Sequence, residues 1–331
     1  MNSEIIQQSF FNHIKSILPP HISMVDEISE VLNISIDSAY RRIRGEKSIT
    51  LDEIVTLANH FKISVDQALQ LKTDCFVFSG KLTNASDHVF EKWMEESLRQ
   101  LLYMNSFTNK HMYYLAKDVP LFAFFLVPEL TAFKTFLWRK SILHYEELKG
   151  QKFSLSKVDQ KHIALSYKMV DAYNQIPTTD IWNVESINST IRQIEFYRGA
   201  NVFSTEDDVV KIYGAVIRLI DHLEKQAELG MKFRVGEEPN QNAAQFHMYN
   251  NELILGDNTV LVELDEKRIT YLNHSAINFI ATSDERFNNH MFDALQNIIK
   301  KSTHLSEVGE KERARFFNKL RNKVTSVMPA Y

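Results

Sequence analysis

Apolar residues recur three or four positions apart in three short segments near the start of the chain. They are Met24, Ile28, Val31 and Leu32 in the first, Ile36, Ala39, Tyr40 and Ile43 in the second, and Leu51, Ile54, Leu57, Ala58 and Phe61 in the third. This spacing places the apolar side chains of each segment on one face of an α-helix. We therefore predict three helices that turn their apolar faces to a shared core.

A residue that can cap a helix precedes each of the three segments. These residues are Ser23, Ser35 and Thr50. Their side-chain oxygens can accept hydrogen bonds from amides of the first turn, and Glu53 completes a capping box with Thr50. Asn33 and Gly45 follow the first two segments, and both tolerate the positive φ that ends helices. Short turns are therefore expected, as in a helix-turn-helix unit.

The helical period continues over residues 85–233 and predicts a helical bundle. Its most apolar stretch, residues 119–130, has no polar face and is too short to span a membrane. We expect this stretch to be a core helix or a subunit interface. Later helices are predicted from a cap at Thr179 or Asp180 and over residues 206–229, before Gly230.

Alternation replaces the helical period at Phe246. It predicts three short strands over residues 246–274, with turns at residues 256–258 and 265–267. Because so few strands are not stable alone, this antiparallel meander should pack on helices that begin near Ser275. A basic helix over residues 300–323 is interpreted as a solvated face, with a second DNA contact as the alternative.

These patterns together predict a mainly α fold with a small β part. The expected domains are a helix-turn-helix domain at 1–72, a linker at 73–84, a helical sensor or dimerisation domain at 85–235 and an α+β domain at 236–331. A chain of 331 residues with 44% hydrophobic residues can bury such cores without disulfides.

Composition narrows the class of protein. The single cysteine, Cys75, excludes an internal disulfide and a multi-cysteine metal site, and it fits a reducing cytoplasm. The first residues lack the basic and apolar regions of a signal peptide. They form an amphipathic pattern instead, which predicts a further helix packed on the first domain. We expect a cytoplasmic protein without a membrane segment.

Catalytic patterns are absent from the sequence. It has no HExxH or GxSxG motif and no glycine-rich phosphate loop, and its histidines are scattered. The acidic run at residues 206–208 opens a predicted helix, where the helix dipole favours negative charge. We therefore expect no enzymatic activity, no cofactor and no metal.

The segment at residues 23–66 resembles the helix-turn-helix domains of the Cro and lambda-repressor type. The resemblance is carried by Ile28, Leu32, Ile34, Ser35, Gly45, Leu51, Ile54, Leu57, Ala58 and Phe61. Three positions depart from the pattern, with Ser29 for a smaller residue, Asn33 for the usual glycine of the turn and Arg42 at a usually apolar position. The apolar face of this helix is then Ile36, Ala39, Tyr40 and Ile43, which predicts a slightly rotated helix.

The resemblance implies that residues 36–44 form a recognition helix capped by Ser35. Asp37, Ser38 and Arg41 are the candidates for base edges, because arginine reads both major-groove acceptors of guanine. The candidates for phosphate contacts are Arg42, Arg44 and Lys47. The alternative is that this basic run is only a solvated helix face.

The function expected from these residues is that of a bacterial-type transcription regulator bound to double-stranded operator DNA. Residues 1–72 carry more carboxylates than cations, so one domain should bind weakly and a homodimer should be the functional unit. The large remainder would sense a small molecule or a peptide, or oligomerise.

Two other classes stay open. One is a phage-repressor-like or antitoxin-like protein whose helical region binds a peptide or protein partner, and the other is an enzyme with a DNA-binding domain. An aromatic pocket with one or two charges would favour a small-molecule sensor, whereas a concave helical face would favour a peptide.

Overall fold

A computed structural model describes residues 3–18, 22–69, 75–80, 89–253, 256–275 and 277–329. The chain divides into two compact units, Met1–Val77 and Phe78–Tyr331. Over the described residues it contains twelve α-helices and one seven-stranded sheet. The expectation of a mainly helical fold with a smaller β part is therefore confirmed. Half of the segment expected to be a linker, residues 73–84, lies outside the described residues.

The N-terminal unit consists of five helices. They are α1 Ser3–Ile17, α2 Met24–Val31, α3 Ile36–Ile43, α4 Leu51–Phe61 and α5 Val65–Ala68. The predicted caps are present, since Ser23 accepts from the Asp26 amide, Ser35 accepts from the Ser38 amide, and Thr50 forms a capping box with Glu53.

Two residues with positive φ, Asn33 and Gly45, follow α2 and α3 as expected. A Cβ on Gly45 would lie 2.6 Å from Cγ of Glu4, so this turn also brings α1 close to the end of α3. The helices enclose one small core. Its fully buried members are Phe10, Phe11, Ile14, Ile28, Ala39, Leu57 and Ala68.

The C-terminal unit combines helices with a mixed sheet. Its helices are α6 Val89–Asn105, α7 Pro128–Leu137, α8 Gln160–Tyr173, α9 Asn188–Gly199, α10 Glu206–Leu229, α11 Glu285–Lys300 and α12 Glu310–Thr325. Its strands are β1 Lys110–Ala116, β2 Thr178–Trp182, β3 Phe246–Asn250, β4 Thr259–Leu264, β5 Lys267–Asn273, β6 Phe279–Thr282 and β7 Thr303–His304. A 3₁₀ helix, Leu121–Leu126, precedes α7, and a π-helical turn, Trp138–Ile142, follows it.

The strands lie in the order β6-β5-β4-β1-β2-β3-β7. Strands β1, β2 and β3 are parallel, so that Tyr114 pairs with Asp180 and Asp180 pairs with Met248. The other neighbours are antiparallel. One face of the sheet packs on the large helical core, and the other face packs on α11 through Leu115, Ile181 and Leu261.

This sheet corrects the expected helical bundle over residues 85–235. Strands β1 and β2 both lie in that region, and Thr179 and Asp180 belong to β2 instead of capping a helix. Every residue of β2 is buried. Because a parallel strand covered on both faces shows no alternation of apolar and polar residues, its pattern did not reveal it.

The expected meander is correct only in its second half. Strands β4 and β5 form an antiparallel hairpin around Asp265, whose φ is 52°. Strand β3, however, pairs with β2 and β7 and not with β4. The helix after the hairpin begins at Glu285 and not near Ser275, because β6 comes first. A three-strand meander is therefore wrong, and the strands belong to one larger sheet.

The apolar stretch at residues 119–130 lies inside the core of its own unit. Every residue of the 3₁₀ helix Leu121–Leu126 except Phe122 is buried. The basic helix α12 turns Phe316, Phe317 and Leu320 inward, and it packs on α10. Within the described ranges, none of the helices has both the length and the apolar character needed to cross a membrane.

Candidate functional sites

The outward face of α3 carries five exposed side chains. They are Ile36, Asp37, Tyr40, Arg41 and Arg44, which follow the spacing of one helix face. Of the residues predicted to contact DNA, the structure also exposes Ser35 and Lys47, whereas Ser38 is half-buried. Arg44 lies over the ring of Tyr40, with 5.4 Å between the guanidinium carbon and the ring centroid.

Arg42 does not lie on this face, which corrects the expectation that it contacts phosphate. Its side chain is 5% exposed and forms a bidentate pair with Glu53 of α4, at 3.1 Å from Nε to Oε2 and 2.7 Å from Nη2 to Oε1. Nη1 also donates to the Ser38 carbonyl at 3.2 Å. A buried cation needs a compensating charge. The Arg42 guanidinium therefore binds Glu53 inside the unit.

The position of Arg42 also corrects the expected apolar face of α3. Ile36 and Tyr40 are 53% and 44% exposed, while Ala39 and Arg42 are buried. The helix thus faces the core with Ala39 and Arg42, and not with Ile36 and Tyr40. The apolar pattern assigned Ile36 and Tyr40 to the core. Both side chains face outward instead, and the sequence analysis did not include them among the candidate site residues.

Gln7 of α1 fixes the end of α3 and the loop that carries Lys47. Its buried amide nitrogen donates to the Arg42 carbonyl at 2.7 Å and to the Lys47 carbonyl at 2.8 Å, and its oxygen accepts from the Ile49 amide at 3.0 Å. Because buried polar groups are stable only when paired, these three bonds define one loop conformation. No sequence signal distinguishes this role from that of any other glutamine on an amphipathic helix.

A second candidate site is a cleft in the C-terminal unit. It consists of an inner cavity of about 310 Å³ and an adjoining outer groove of about 660 Å³. The two share Lys117, Asp118, Ser189 and Gln193 in their walls. Lys117 and Asp118 directly follow β1, so the cleft lies at the carboxyl end of a parallel strand, where ligands bind in many open α/β sheets.

The inner cavity combines aromatic side chains with polar ones and a buried cation. Its aromatic side chains are Tyr114, Phe124, Trp138 and Phe279. Lys134 of α7 is 3% exposed, and its Nζ lies 3.9 Å from the centroid of the Phe124 ring. Nζ donates to Oγ1 of Thr190 at 3.0 Å and to Oε1 of Gln193 at 2.6 Å. Burial lowers the pKa of Lys134 to about 7, while Asp118 acts in the opposite direction.

Sequence reasoning did not single out Lys134. Lys134 is the only charged residue in the run LTAFKTFL. A lone lysine among apolar helix positions was the sequence signal that could have identified it. The residues that complete the cavity come from β1, β5, β6, α7 and α9, and from the segments around them, which are far apart in the sequence. Only their packing brings them together.

One further cluster could hold a metal ion. In the described part of the chain, ligand atoms of Glu91, Asp159 and His162 lie within 4.8 Å of one another. However, Nε2 of His162 faces Glu91 at 3.0 Å, while Nδ1 faces Asp159 at 3.7 Å. A single ion cannot use both ring nitrogens, so the arrangement suits an imidazole held between two carboxylates.

Comparison of the chain with models of protein families, with curated proteins and with solved structures found no match. No family is therefore assigned to the chain. Its function is inferred from its residues and their geometry.

Proposed function

We propose that the chain is a sequence-specific DNA-binding transcription regulator of bacterial type. It reads double-stranded operator DNA through α3 of a helix-turn-helix domain and acts as a homodimer. The C-terminal unit receives an effector. The observation that carries the proposal is the outward face of α3, where polar and basic side chains are exposed on a helix that buried contacts hold in place.

The dimensions and chemistry of this face suit the major groove. An α-helix with its side chains is about 10–12 Å across, and the groove is about 12 Å wide. Arg41 can donate two hydrogen bonds to guanine, and Tyr40 and Ile36 offer apolar surface to thymine methyl groups. Arg44 and Lys47, at and beyond the end of the helix, suit phosphate oxygens.

The proposed homodimer follows from the small number of cations on this face. Asp37 is exposed beside them, and Glu46 pairs with Arg44 at 3.6 Å. Affinity for the DNA backbone grows with the number of phosphates neutralised, so one such face binds weakly. A homodimer carries two such faces. Once one face has bound, the other is held at a high effective concentration near the DNA, so the affinity rises without further contacts per face.

Arg41→Ala and Lys47→Ala test the proposal through their different effects on binding. An operator is first selected from a random DNA pool, and affinities for it and for a scrambled duplex are measured by fluorescence anisotropy at several salt concentrations. Arg41→Ala should cost roughly 1–3 kcal/mol at one base pair and lower the ratio of the two affinities. Lys47→Ala should weaken both complexes about equally and reduce the salt slope by about one.

Lys15→Ala is the matched control, because it removes an exposed cation of α1. It should change neither the affinity ratio nor the salt slope. An unchanged ratio for Arg41→Ala would show that α3 does not read bases. A selection that yields no preferred sequence would exclude sequence-specific binding altogether.

An alternative function is an antitoxin-like or phage-repressor-like role in which the chain binds a peptide or protein. The outer groove favours it, since Phe196 is 68% exposed there beside Ile142 and Leu137. Exposed apolar grooves commonly receive peptide side chains. The inner cavity beside it, with four aromatic side chains and a buried cation, favours a small-molecule effector instead.

A further inference from the structure

We infer that the inner cavity binds a small amphipathic zwitterion of the size and kind of an apolar α-amino acid, with its carboxylate at Lys134 and its ammonium group at Asp118. This inference rests on the proposed function only where it identifies the ligand as the effector. Binding itself depends on the cavity alone.

The cation end of the cavity lacks a counter-charge. Lys134 is almost fully buried, and it forms no ion pair with any of the residues that the structure describes. Its ammonium group is held by two neutral acceptors, Thr190 and Gln193, and by the face of Phe124. A buried charge without a partner is unfavourable, and hydrogen bonds between ionised groups are stronger than those to neutral ones. A ligand carboxylate that replaces the Gln193 oxygen would supply the missing charge.

The cavity wall also presents acceptors. Asp118 is half-buried. Its negative charge acts to raise the pKa of both Lys134 and Tyr114, although it forms no ion pair with Lys134. Its backbone amide donates to Oδ1 of Asn258 at 3.1 Å. The neighbouring Asn273 has a buried Oδ1 that finds no partner among the described residues. A carboxylate and an unsatisfied amide oxygen together suit an ammonium group with its several donors.

The remaining charges of the cavity cancel each other. Lys117 and Asp257 form an ion pair at 2.5 Å, and both side chains are mainly exposed. The cavity therefore keeps one buried cation and one half-buried anion, and Asp118 acts electrostatically on Lys134. The two charges match a small molecule that carries a carboxylate and an ammonium group on one carbon atom, and they do not match a simple anion or amine.

The walls and the volume define the rest of the ligand. Phe124, Trp138, Tyr114 and Phe279 supply aromatic surface, which favours an apolar side chain. A volume of about 310 Å³ lies at the lower end of the range of ligand pockets, roughly 300–1,000 Å³. It suits a molecule of the size of an amino acid. The outer groove provides the path of entry.

The test compares three probes that share one ring. L-Phenylalanine carries both charges, 3-phenylpropionate lacks the ammonium group and 2-phenylethylamine lacks the carboxylate. Each is titrated into the full chain, without DNA, by isothermal calorimetry, and L-leucine and L-methionine are titrated for comparison. We expect L-phenylalanine to bind at least about tenfold more tightly than either singly charged probe, because each probe leaves one buried polar group unpaired.

Two variants assign the charges to residues. Lys134→Met keeps the length of the side chain without the charge, and it should remove the preference of the protein for L-phenylalanine over 2-phenylethylamine. Asp118→Asn should remove the preference for L-phenylalanine over 3-phenylpropionate. Lys157→Met, at an exposed lysine outside the cavity walls, is the control and should change neither preference.

The inference is overturned if no amino acid binds, or if 3-phenylpropionate binds as tightly as L-phenylalanine. It is also overturned if Lys134→Met is folded by circular dichroism and keeps the full preference. The proposed function can be refuted independently of this inference. Binding of L-phenylalanine by a chain that selects no DNA sequence would refute the regulator and support the ligand site, whereas selective DNA binding without amino-acid binding would do the reverse.

Discussion

The buried pair between Arg42 and Glu53 holds α3 against α4 and makes a quantitative prediction. Glu53→Gln keeps the shape of the side chain and an oxygen for the Thr50 amide, which Glu53 Oε2 now binds at 3.0 Å. It removes the negative charge that faces the guanidinium. Arg42→Met removes the cation instead and places an apolar side chain at the buried position. The two changes should therefore have unequal effects on the stability of the N-terminal unit.

The expected magnitudes follow from burial. Arg42 is almost fully buried, and removing the partner of a buried charge typically costs about 3–5 kcal/mol. Because Glu53 retains some exposure, water can reach the guanidinium, and we expect about 2–3 kcal/mol for Glu53→Gln. Arg42→Met leaves a carboxylate that stays hydrogen-bonded and partly solvated, so we expect less than about 1.5 kcal/mol. Arg42→Met combined with Glu53→Gln should be more stable than Glu53→Gln alone.

Hydrogen exchange of the full chain measures these differences. All three tryptophans, Trp93, Trp138 and Trp182, lie in the C-terminal unit, so fluorescence does not report on the N-terminal unit. Peptides from α3 and α4 should lose roughly 30- to 150-fold in protection in Glu53→Gln, while peptides from α8 and α10 stay unchanged. Equal losses in Glu53→Gln and Arg42→Met, or a double variant weaker than both, would refute the reasoning.

The same pair makes stability depend on pH. The hydrogen bond from Arg42 holds the pKa of Glu53 below its usual value. A carboxyl with a lowered folded-state pKa stabilises the fold above its unfolded-state pKa, and this contribution is lost as the pH falls through the folded-state pKa. Protection of α3 and α4 should therefore fall in acid, and Arg42→Met should show a smaller fall.

The remaining predictions concern the C-terminal unit. Phe125→Asp should destabilise it by more than about 4 kcal/mol in urea unfolding followed by tryptophan fluorescence, since Phe125 is fully buried against Trp138 and a carboxylate there would lose its hydration; an unchanged midpoint would show that the 3₁₀ helix Leu121–Leu126 is not core. Gly230→Ala should cost roughly 1–2 kcal/mol, because Gly230 ends α10 at a φ of 65° and a Cβ would lie 2.9 Å from Glu307 Cγ. Gly199→Ala is the control, because a Cβ at Gly199 would meet nothing within 4 Å, so equal effects of the two glycine changes would contradict this account.

Elements that are stabilised by local interactions could be predicted from the sequence. The helices α2 and α4 are indicated by apolar spacing and by caps, and α3 is indicated by its cap alone. The cap partners lie three residues away, as Ser35 and Thr50 show. The hairpin of β4 and β5 is equally local, because its two strands are joined at Asp265 and Glu266. Such interactions can be recognised from neighbouring residues, whatever the rest of the chain does.

The pairing of β1, β2 and β3 depends on long-range contacts. The paired residues Tyr114, Asp180 and Met248 lie far apart in the sequence. A fully buried parallel strand such as β2 shows no alternation, and its sequence does not distinguish it from a buried helix segment. The sheet, and with it the cleft at the end of β1, could therefore not be predicted from the sequence pattern.

Arg42 and Lys134 show the same limit at the level of single residues. Each is a cation at an apolar position of a helix, and the sequence does not show whether such a side chain reaches solvent or is buried. Glu53, on another helix, decides the role of Arg42 by neutralising it inside the N-terminal unit. Around Lys134 the packing brings neutral acceptors and aromatic rings, and no carboxylate pairs with it among the described residues. The sequence determines which residues carry charge, but the cost of burying a charge depends on what surrounds it, and only the folded chain determines those surroundings.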